Sequence, residues 1–587
     1  MSKTFELQKQ LKSLPLTNLN TASKNFLNWV EPLISKEQFN ITKNNLETFI
    51  NNDGLILEKK LNEWSEHNDG SWLAPLWKNM YLDIREPVAI DVNYYIKLIT
   101  NHLKLKYDST EIAGFIINKL MDTYESVMDE NFEPEQIKGI PLCMSAYKEM
   151  FKATKIPKMN RDEYIVKSKT KANHILVMYR NHMFKLNLTR ENGNRYSTIE
   201  IINTLNNLKK SKLEANDTSV GLITTAPRNK AAILLEEILV NEKNNENFEI
   251  LKDAVFMVCM DENTQTLNEF SMSLIGTNEE NRYFDKNLQL IFNTNGDIGF
   301  NLEHTAADAG PWINIINIIY SELNSIDNYL EDKSNEIIQT KQLQWQLSKS
   351  IKTQLNEIKV KHETKISDIH QEIIYFENFG SKEIKNWKVS PDSFLQLALQ
   401  LAQYRTFGKL KSTYEAVANR SYLNGRTECS RPISIELLDF VKAFDNKETN
   451  QDSLKEMMYI ACKKQSSRIK DCLGSNGVER YFFALKNMYT LFSDELDLKQ
   501  MPEFFNDVGY KELTYSYIST SRIESKYFDL GGFGPVVPDG FGFWYNLLDE
   551  RIDMNLITYK KINENNIKKF RDSLEESIKD LAILASK

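Results

Sequence analysis

The spacing of apolar and polar residues changes along this chain, and each change predicts a different secondary-structure element. Nearly continuous apolar runs predict buried strands at residues 254–260 and 288–292. Two further apolar runs, residues 174–179 and 183–188, are separated by Arg180 and Asn181, which predicts a β-hairpin. Apolar residues that recur three and four positions apart predict helices at residues 199–210, 267–274, 312–323, 433–444 and 453–465.

Start and break signals refine this pattern. Ser390, Pro391 and Asp392 predict the start of a long helix that continues through Tyr404. Near the beginning of the chain, Pro32 is expected to interrupt a helical stretch. Short strands are predicted at residues 222–225, 515–521 and 540–545, and the last helix is predicted at residues 564–584.

Composition limits the class of protein. The chain has 587 residues, which suits two or three domains. Its net charge of −8 argues against a general nucleic-acid binder, because such a protein needs a basic surface. The five cysteines are scattered and form no CxxC pair, which indicates a reducing compartment and no metal site. An anionic substrate would therefore be held by local lysines and arginines.

Targeting signals are weak at both ends. No apolar run reaches the ~18 residues that a transmembrane span requires. The opening segment mixes Lys3, Lys9 and Lys12 with Glu6, which makes a poor signal or transit peptide. The final Ser586 and Lys587 lack the leucine of a peroxisomal address. We expect an intracellular protein, and the cytoplasm, peroxisome and mitochondrion stay open.

One histidine has a sequence context that suits a general base. His304 follows the predicted strand at 288–292 and is itself followed by small residues and by Asp308. Histidine titrates near neutrality, so it can accept a proton and return it. If the chain is helical after His304, Asp308 lies one turn later on the same side and can fix the ring tautomer. The alternative is a buried histidine whose nitrogens are used only structurally.

Six motifs in a fixed order extend this observation. They are Asn281–Arg282–Tyr283–Phe284–Asp285–Lys286, Glu303–His304, Ser412–Thr413–Tyr414–Glu415, Gly425–Arg426–Thr427–Glu428, Ser519–Thr520–Ser521 and the segment from Phe533 to Gly540. Together they resemble the carnitine/choline acyltransferase family, and the similarity runs from about Leu14 to the last helix.

The resemblance implies an α/β fold of two similar halves, each a mixed β-sheet flanked by helices, like chloramphenicol acetyltransferase. An active-site tunnel is expected between the halves. Residues 1–85 and 347–587 are expected to form a discontinuous domain that binds carnitine and coenzyme A, and residues 86–346 a domain that carries the histidine. A monomer is expected, with acyl-CoA and carnitine as small-molecule substrates and no permanently bound cofactor.

The resemblance also implies roles for individual residues. His304 would deprotonate the substrate hydroxyl, Asp308 would orient His304, and Ser521 would stabilise the oxyanion. The substrate carboxylate would be held by Tyr414, Thr427 and Arg480, and Arg480 favours carnitine over choline, which has no carboxylate. Ser519 and Phe533 complete the expected carnitine site, with Phe533 facing the trimethylammonium group.

Coenzyme A and the acyl chain involve further positions. Lys382, Lys385 and Asp392 are expected near the nucleotide, although Ser381 stands where the family has a first lysine. Gly531 stands where acetyl-specific relatives have methionine, so an open pocket for a medium- or long-chain acyl group is expected, as in the carnitine octanoyltransferase branch.

Two other functions stay open at this point. The chain could be a choline O-acetyltransferase, against which Arg480 and Gly531 argue. It could also be a non-catalytic acyl-CoA-binding relative. His304, Asp308 and Ser521 argue against that function. Three departures from the family pattern favour it: Ala231 stands where many relatives have tryptophan, Ser381 where the family has a lysine, and Cys429 where carnitine enzymes usually have a second threonine.

Overall fold

The structure is a computed structural model that describes residues 3–168, 173–263, 266–331, 333–446 and 449–587. The chain divides into two units. Unit 1 comprises Met1–Lys9, Lys78–Ile369 and Ser525–Gly534, and unit 2 comprises Gln10–Trp77, His370–Glu524 and Pro535–Lys587. Each unit therefore combines segments that are far apart in the sequence.

The α-helices, numbered in chain order, are α1 Leu19–Val30, α2 Lys36–Asn51, α3 Asp53–Glu66, α4 Ala74–Asp83, α5 Val88–Asp91, α6 Ser109–Met128, α7 Thr198–Lys210, α8 Arg228–Leu239, α9 Glu242–Asp253, α10 Leu267–Ile275, α11 Ala309–Ser321, α12 Asp327–Leu330, α13 Lys349–Ser367, α14 Ser381–Asn386, α15 Pro391–Phe407, α16 Ile435–Phe444, α17 Gln451–Leu473, α18 Glu479–Phe492, α19 Val508–Thr514 and α20 Lys560–Ser586.

The strands are β1 Lys12–Ser13, β2 Tyr94–Leu98, β3 Gln136–Ile137, β4 Ile140–Pro141, β5 Ala153–Ile156, β6 Glu163–Val166, β7 His174–Tyr179, β8 His182–Asn187, β9 Met257–Asp261, β10 Leu288–Asn293, β11 Ile298–Leu302, β12 Thr340–Gln342, β13 Ile369–Phe376, β14 Thr413–Ala418, β15 Tyr422–Leu423, β16 Thr427–Ser430, β17 Ile518–Arg522, β18 Phe528–Phe533, β19 Phe541–Leu547 and β20 Ile552–Tyr559. Short 3₁₀ helices lie at Gln8–Gln10, Glu31–Leu33, Ser145–Glu149, Val220–Thr225, Glu279–Asn281, Leu323–Ser325 and Glu503–Asn506.

Unit 1 is organised around an eight-stranded sheet with the order β12-β8-β7-β9-β10-β11-β2-β18. β9 runs parallel to β7 and β10, and the other neighbouring strands pair antiparallel. β9, β10 and β11 are buried along their whole length, because helices such as α6 and α10 pack against the sheet. The edge strand β18 comes from a segment late in the chain, so this sheet joins residues more than 400 positions apart.

Unit 2 contains a six-stranded mixed sheet with the order β13-β20-β19-β17-β14-β16. β14, β17 and β19 run parallel, whereas β16 and β20 are antiparallel to their neighbours β14 and β19. α15 and α20 pack closely against each other. Their apolar side chains share one buried core with β19 and β20, for example Leu399, Phe543, Leu556 and Phe570. The expected α/β class, with mixed sheets flanked by helices, is confirmed for each unit.

Several local predictions are confirmed by the backbone. β7 and β8 form the expected hairpin, and Arg180 and Asn181 both have positive φ, as a tight two-residue turn requires. Ser390 caps α15 by accepting a hydrogen bond from the Ser393 amide, and Pro391 is the first residue of the helix. Pro32 lies in the 3₁₀ turn that separates α1 from α2.

The short strand expected at residues 222–225 is wrong. The segment Val220–Thr225 is a buried 3₁₀ helix. The hydroxyls of Thr224 and Thr225 donate to carbonyl oxygens three residues earlier, at distances of 2.7 and 2.8 Å. Threonine hydroxyls that bond locally in this way compete with strand pairing. In the ranges that the structure covers, no helix combines the length and apolar content that crossing a membrane requires.

Candidate active site

His304 lies in unit 1, two residues beyond the end of β11. The chain leaves the sheet at Leu302, and α11 begins at Ala309, so the histidine occupies the connection between a buried strand and a helix. Its side chain is 25% exposed. The imidazole is therefore reachable by a substrate while the backbone on either side is fixed by regular structure, an arrangement that suits proton transfer.

Two tyrosine rings hold the imidazole of His304 from different sides. The Tyr81 ring stacks on it, with centroids 4.9 Å apart and planes inclined by 16°. The Tyr94 ring meets it edge-on, with a centroid distance of 5.1 Å. Tyr94 opens β2 and lies opposite Leu302 in the neighbouring strand, so the sheet register brings it to the histidine. These rings limit rotation of the imidazole.

Asp308 lies beside the histidine, but not on a shared helical turn. The segment between His304 and Asp308 is not helical, and Asp308 is the extended residue directly before α11. Its Oδ1 is 3.8 Å from Nδ1 of His304. That distance is too long for a hydrogen bond and short enough for an ion pair when the ring is protonated. The carboxylate can therefore stabilise an imidazolium.

The turn around His304 is fixed by its neighbour Glu303. The Glu303 side chain is fully buried and accepts hydrogen bonds from the Thr305 amide and from the Thr305 hydroxyl, at 3.0 and 2.5 Å. The Glu303 amide donates to the Asn287 carbonyl at 3.1 Å. Lys155, also fully buried, lies 3.5 Å from the Glu303 carboxylate. The backbone on both sides of His304 is thus tied to a buried polar group.

The residues expected at the acyl and ammonium groups lie on the edge strand β18 of the same unit. Gly531 is buried and lies opposite Ile96 of β2, and Phe533 is half-buried and lies opposite Tyr94. Phe533 is therefore paired across the two strands with Tyr94, whose ring contacts His304.

Unit 2 gathers the other polar residues of the expected site on one face of its sheet. Ser519 of β17 is in register with Tyr414 of β14, and Ser521 lies two residues further along β17, on the same face. Thr427 of β16 is in register with Ala418, which shares the face of Tyr414. Cys429, which departs from the family pattern, lies on this face as well.

Arg480 reaches this group from the first turn of α18. Its side chain is buried, and its guanidinium lies 3.8 Å from the Trp77 ring. Nη2 donates to the Tyr414 hydroxyl at 3.0 Å, Nε donates to the Thr427 carbonyl at 3.0 Å, and Nη1 lies 3.1 Å from Glu479. Tyr414, Thr427 and Arg480 are therefore brought together by direct hydrogen bonds.

The charge of Arg480 is balanced by the half-buried Glu479, and a second carboxylate, Glu428, is buried beside it. Burial opposes the charge of Arg480, but Tyr414 and Glu479 outweigh burial and raise the pKa of the guanidinium, which stays cationic. Burial raises the pKa of Glu428 to about 7, against the opposing effect of Arg480. Glu428 accepts hydrogen bonds from the amides of Cys429 and Arg480, at 2.8 and 3.2 Å.

The residues expected to bind coenzyme A lie on α14 and at the start of α15. Lys382 and Lys385 are exposed, and Lys382 pairs with Glu550 at 3.1 Å. The amides of Ser381 and Lys382 donate to the carbonyls of Leu548 and Asp549, so the first turn of α14 does not present these amides to a phosphate. Asp392 accepts a hydrogen bond from the Tyr545 hydroxyl at 2.8 Å.

Sequence reasoning missed several side chains that shape these sites. Tyr81 and Tyr94 contact His304, Trp77 covers Arg480, and Lys155 lies beside Glu303. The two aromatic segments at residues 72–84 and 92–95 carried a signal, because clusters of Trp and Tyr mark surfaces that bind rings or cations. No sequence pattern could have identified Lys155, because it precedes Glu303 by about 150 positions and no local motif links the two residues.

Comparisons with known proteins extend these observations. The family model described as "Choline/Carnitine o-acyltransferase" matches residues 14–576. The carnitine O-acetyltransferase of Homo sapiens is 28% identical, over 98% of this chain and 94% of that protein. The mitochondrial carnitine O-acetyltransferase of Saccharomyces cerevisiae is 28% identical, over 94% of this chain and 84% of that protein. The mitochondrial carnitine O-palmitoyltransferase 2 of Xenopus tropicalis is 27% identical, over 98% of this chain and 92% of that protein.

Proposed function

Because the chain belongs to the choline/carnitine O-acyltransferase family and is therefore an acyltransferase, we propose that it transfers acyl groups reversibly between coenzyme A and the hydroxyl of L-carnitine. The observation that carries this proposal is the buried Arg480, whose Nη2 donates to the Tyr414 hydroxyl. A buried cation at this place suits a substrate that carries a carboxylate. Choline has no carboxylate, so it would gain nothing from the Tyr414 hydroxyl that Arg480 polarises.

His304 is the general base of the proposed reaction. Asp308 faces Nδ1 of the ring, so Nε2 is the nitrogen that accepts the hydroxyl proton of carnitine. The alkoxide then attacks the thioester carbon, the carbon–sulfur bond breaks, and the departing thiolate takes the proton from Nε2. During the step the ring is cationic, and Asp308 stabilises that charge. No acyl-enzyme intermediate is needed.

Ser521 is the proposed donor to the oxyanion. The tetrahedral intermediate carries a negative oxygen that was a neutral carbonyl in the substrate, so a donor placed there stabilises the transition state more than the ground state. Ser521 is half-buried and shares its sheet face with Ser519 and Tyr414. The proposal thus assigns Ser521 to the acyl oxygen and Ser519 to carnitine.

Tyr414 and Thr427 are the proposed direct ligands of the carnitine carboxylate. A phenol that accepts a hydrogen bond from a guanidinium is polarised, and its own proton becomes a stronger donor. Arg480 acts both through this hydroxyl and through its charge. Phe533 is assigned to the trimethylammonium group, since an aromatic face attracts a cation.

We propose that the transferred acyl group has a medium or long chain. Gly531 has no side chain and lies opposite Ile96, so β18 places no bulk at this position. The relatives named acetyltransferase and palmitoyltransferase have nearly equal identity to this chain, so identity does not decide chain length. Lys382, Lys385 and Asp392 are assigned to coenzyme A, which binds as a substrate and not as a resident cofactor.

The proposal is tested by measuring turnover with every combination of three acyl-CoA donors and two acceptors. Release of the coenzyme A thiol would be followed with acetyl-, octanoyl- and palmitoyl-CoA, each with carnitine and with choline. We expect turnover with carnitine, and a higher kcat/KM for octanoyl- or palmitoyl-CoA than for acetyl-CoA. Transfer of acetyl groups to choline would contradict both the acceptor and the chain length. Binding of acyl-CoA without transfer to either acceptor would indicate a non-catalytic relative.

A further inference from the structure

We propose that Lys155 is a positioning residue that holds His304 in its reactive orientation. The buried ammonium group contacts two elements that each contact or adjoin the histidine. One is the Glu303 carboxylate, and the other is the backbone carbonyl of Tyr81. The proposal rests on the role of His304 as general base that is proposed above.

The first contact fixes the chain on which His304 sits. Nζ of Lys155 lies 3.5 Å from Oε1 of Glu303, and both side chains are fully buried. The same carboxylate accepts two hydrogen bonds from Thr305, so it spans the residues on both sides of His304. Lys155 therefore anchors the turn that presents the imidazole.

The second contact fixes the ring that covers the imidazole. Nζ of Lys155 donates to the Tyr81 carbonyl at 2.8 Å. Tyr81 lies in the last turn of α4, where carbonyl oxygens have no partner within the helix. The aromatic ring of the same residue stacks on His304. One ammonium group thus sets the position of the histidine turn and of the tyrosine that limits its rotation.

Burying the charge of a lysine costs free energy, so packing alone does not explain Lys155. Burial lowers the pKa of Lys155, and the nearby Glu303 carboxylate opposes that effect. Replacement of buried ion pairs by apolar residues is often neutral or stabilising, so such a pair is weak evidence for a contribution to stability. Three donors on a compact ammonium can instead join a carboxylate and a carbonyl from separate elements. This chemistry supports an orienting role.

The test compares Lys155→Met with a matched control, Lys152→Met. Lys152 is also fully buried, is ion-paired with Asp253 at 2.9 Å, and lies three residues from Lys155. Folded protein would be quantified by circular dichroism before kinetics. For Lys155→Met we expect kcat to fall about 10- to 100-fold, because small displacements of a reacting group have effects of this size. The KM values for acyl-CoA and carnitine should stay within about threefold, since their binding groups are intact. The control should retain its kcat.

A second variant separates positioning from the effect of an unpaired buried charge. Lys155→Met with Glu303→Gln removes both charges, so stability should recover, but the Tyr81 carbonyl stays without its anchor and kcat should stay low. If Lys155→Met alone does not fold, kcat of the double variant tests the proposal in its place. Recovery of kcat in the double variant, or an equal loss in Lys152→Met, would overturn the proposal. If His304→Ala kept full turnover, the proposed role of His304 as general base would be wrong instead.

Discussion

Substitution of Arg480 by lysine is the most informative change in the acceptor site. Arginine uses three nitrogens on three different groups, the Thr427 carbonyl, the Tyr414 hydroxyl and Glu479. Lysine keeps the positive charge but presents it as a point, so it cannot reproduce this planar fork. The contact with the Trp77 ring, 3.8 Å from the guanidinium carbon, is lost as well.

The expected size of the effect follows from the contact with Tyr414. A hydrogen bond that involves a charged group contributes about 1.5–3 kcal/mol, and each ~1.4 kcal/mol is a factor of ten. If the polarised Tyr414 hydroxyl holds the carnitine carboxylate, its loss raises the KM for carnitine by about 10- to 150-fold. The KM for acyl-CoA should not change, because a different set of residues is assigned to coenzyme A.

The assay is thiol release from octanoyl-CoA at varied carnitine concentrations and, separately, at varied octanoyl-CoA concentrations. Arg282→Lys is a suitable control, because Arg282 is equally buried and pairs with Asp261 at 2.7 Å in unit 1. A carnitine KM within twofold of the original in folded Arg480→Lys would refute the reasoning. So would an equal rise in the KM values for carnitine and for octanoyl-CoA, since that result would show a general structural defect.

Three further predictions follow from other features of the chain. Gly531→Met should lower kcat/KM for palmitoyl- and octanoyl-CoA at least tenfold and leave that for acetyl-CoA unchanged, because the new side chain occupies the expected acyl path. The control Gly532→Ala, on the opposite strand face, should keep the original order of preference among the three acyl-CoA substrates. An unchanged order of preference in Gly531→Met would exclude this pocket. Ser521→Ala should lower kcat about 10²- to 10³-fold with little change in KM, as for loss of an oxyanion donor, and single-turnover rates equal to those of the unsubstituted enzyme would argue against the assignment. Burial lowers the pKa of Lys286 to about 7 in the folded protein, below its ordinary value in the unfolded chain. Between these two pKa values the unfolded state binds more protons than the folded state. The free energy of unfolding should therefore rise with pH from about 7, by up to ~1.4 kcal/mol per pH unit. Lys286→Met should remove this rise, and urea midpoints at pH 7 and 9 that change equally in both proteins would contradict it.

Only part of each sheet could be predicted from long apolar runs, and the pattern does not predict β11, the strand directly before His304. β10 is an example of a predicted strand, and the start of α15 could be predicted from its cap at Ser390. The segment Val220–Thr225 could not be predicted, since its apolar run fits a strand equally well and only the local threonine hydrogen bonds decide for a 3₁₀ helix. The segment between His304 and Asp308 is a similar case: the sequence leaves a helix open there, whereas Asp308 takes an extended conformation directly before α11.

The candidate site could be predicted only as far as its motifs are local. Tyr414 and Ser519 are about 100 positions apart in sequence, and strand register brings them side by side. The resemblance to a family supplied that grouping, which spacing alone does not contain. The contacts of Lys155 with Glu303 and with Tyr81 join three distant segments, so they had to be read from the structure.

The most direct test of the central claim is turnover by His304→Ala in a preparation whose binding of coenzyme A is measured by calorimetry. Loss of a general base should lower kcat by about 10²- to 10⁴-fold, while the affinity for coenzyme A stays unchanged, because the assigned nucleotide residues are intact. Near-normal acyl transfer to carnitine by this variant would contradict the assignment of His304 and the mechanism built on it.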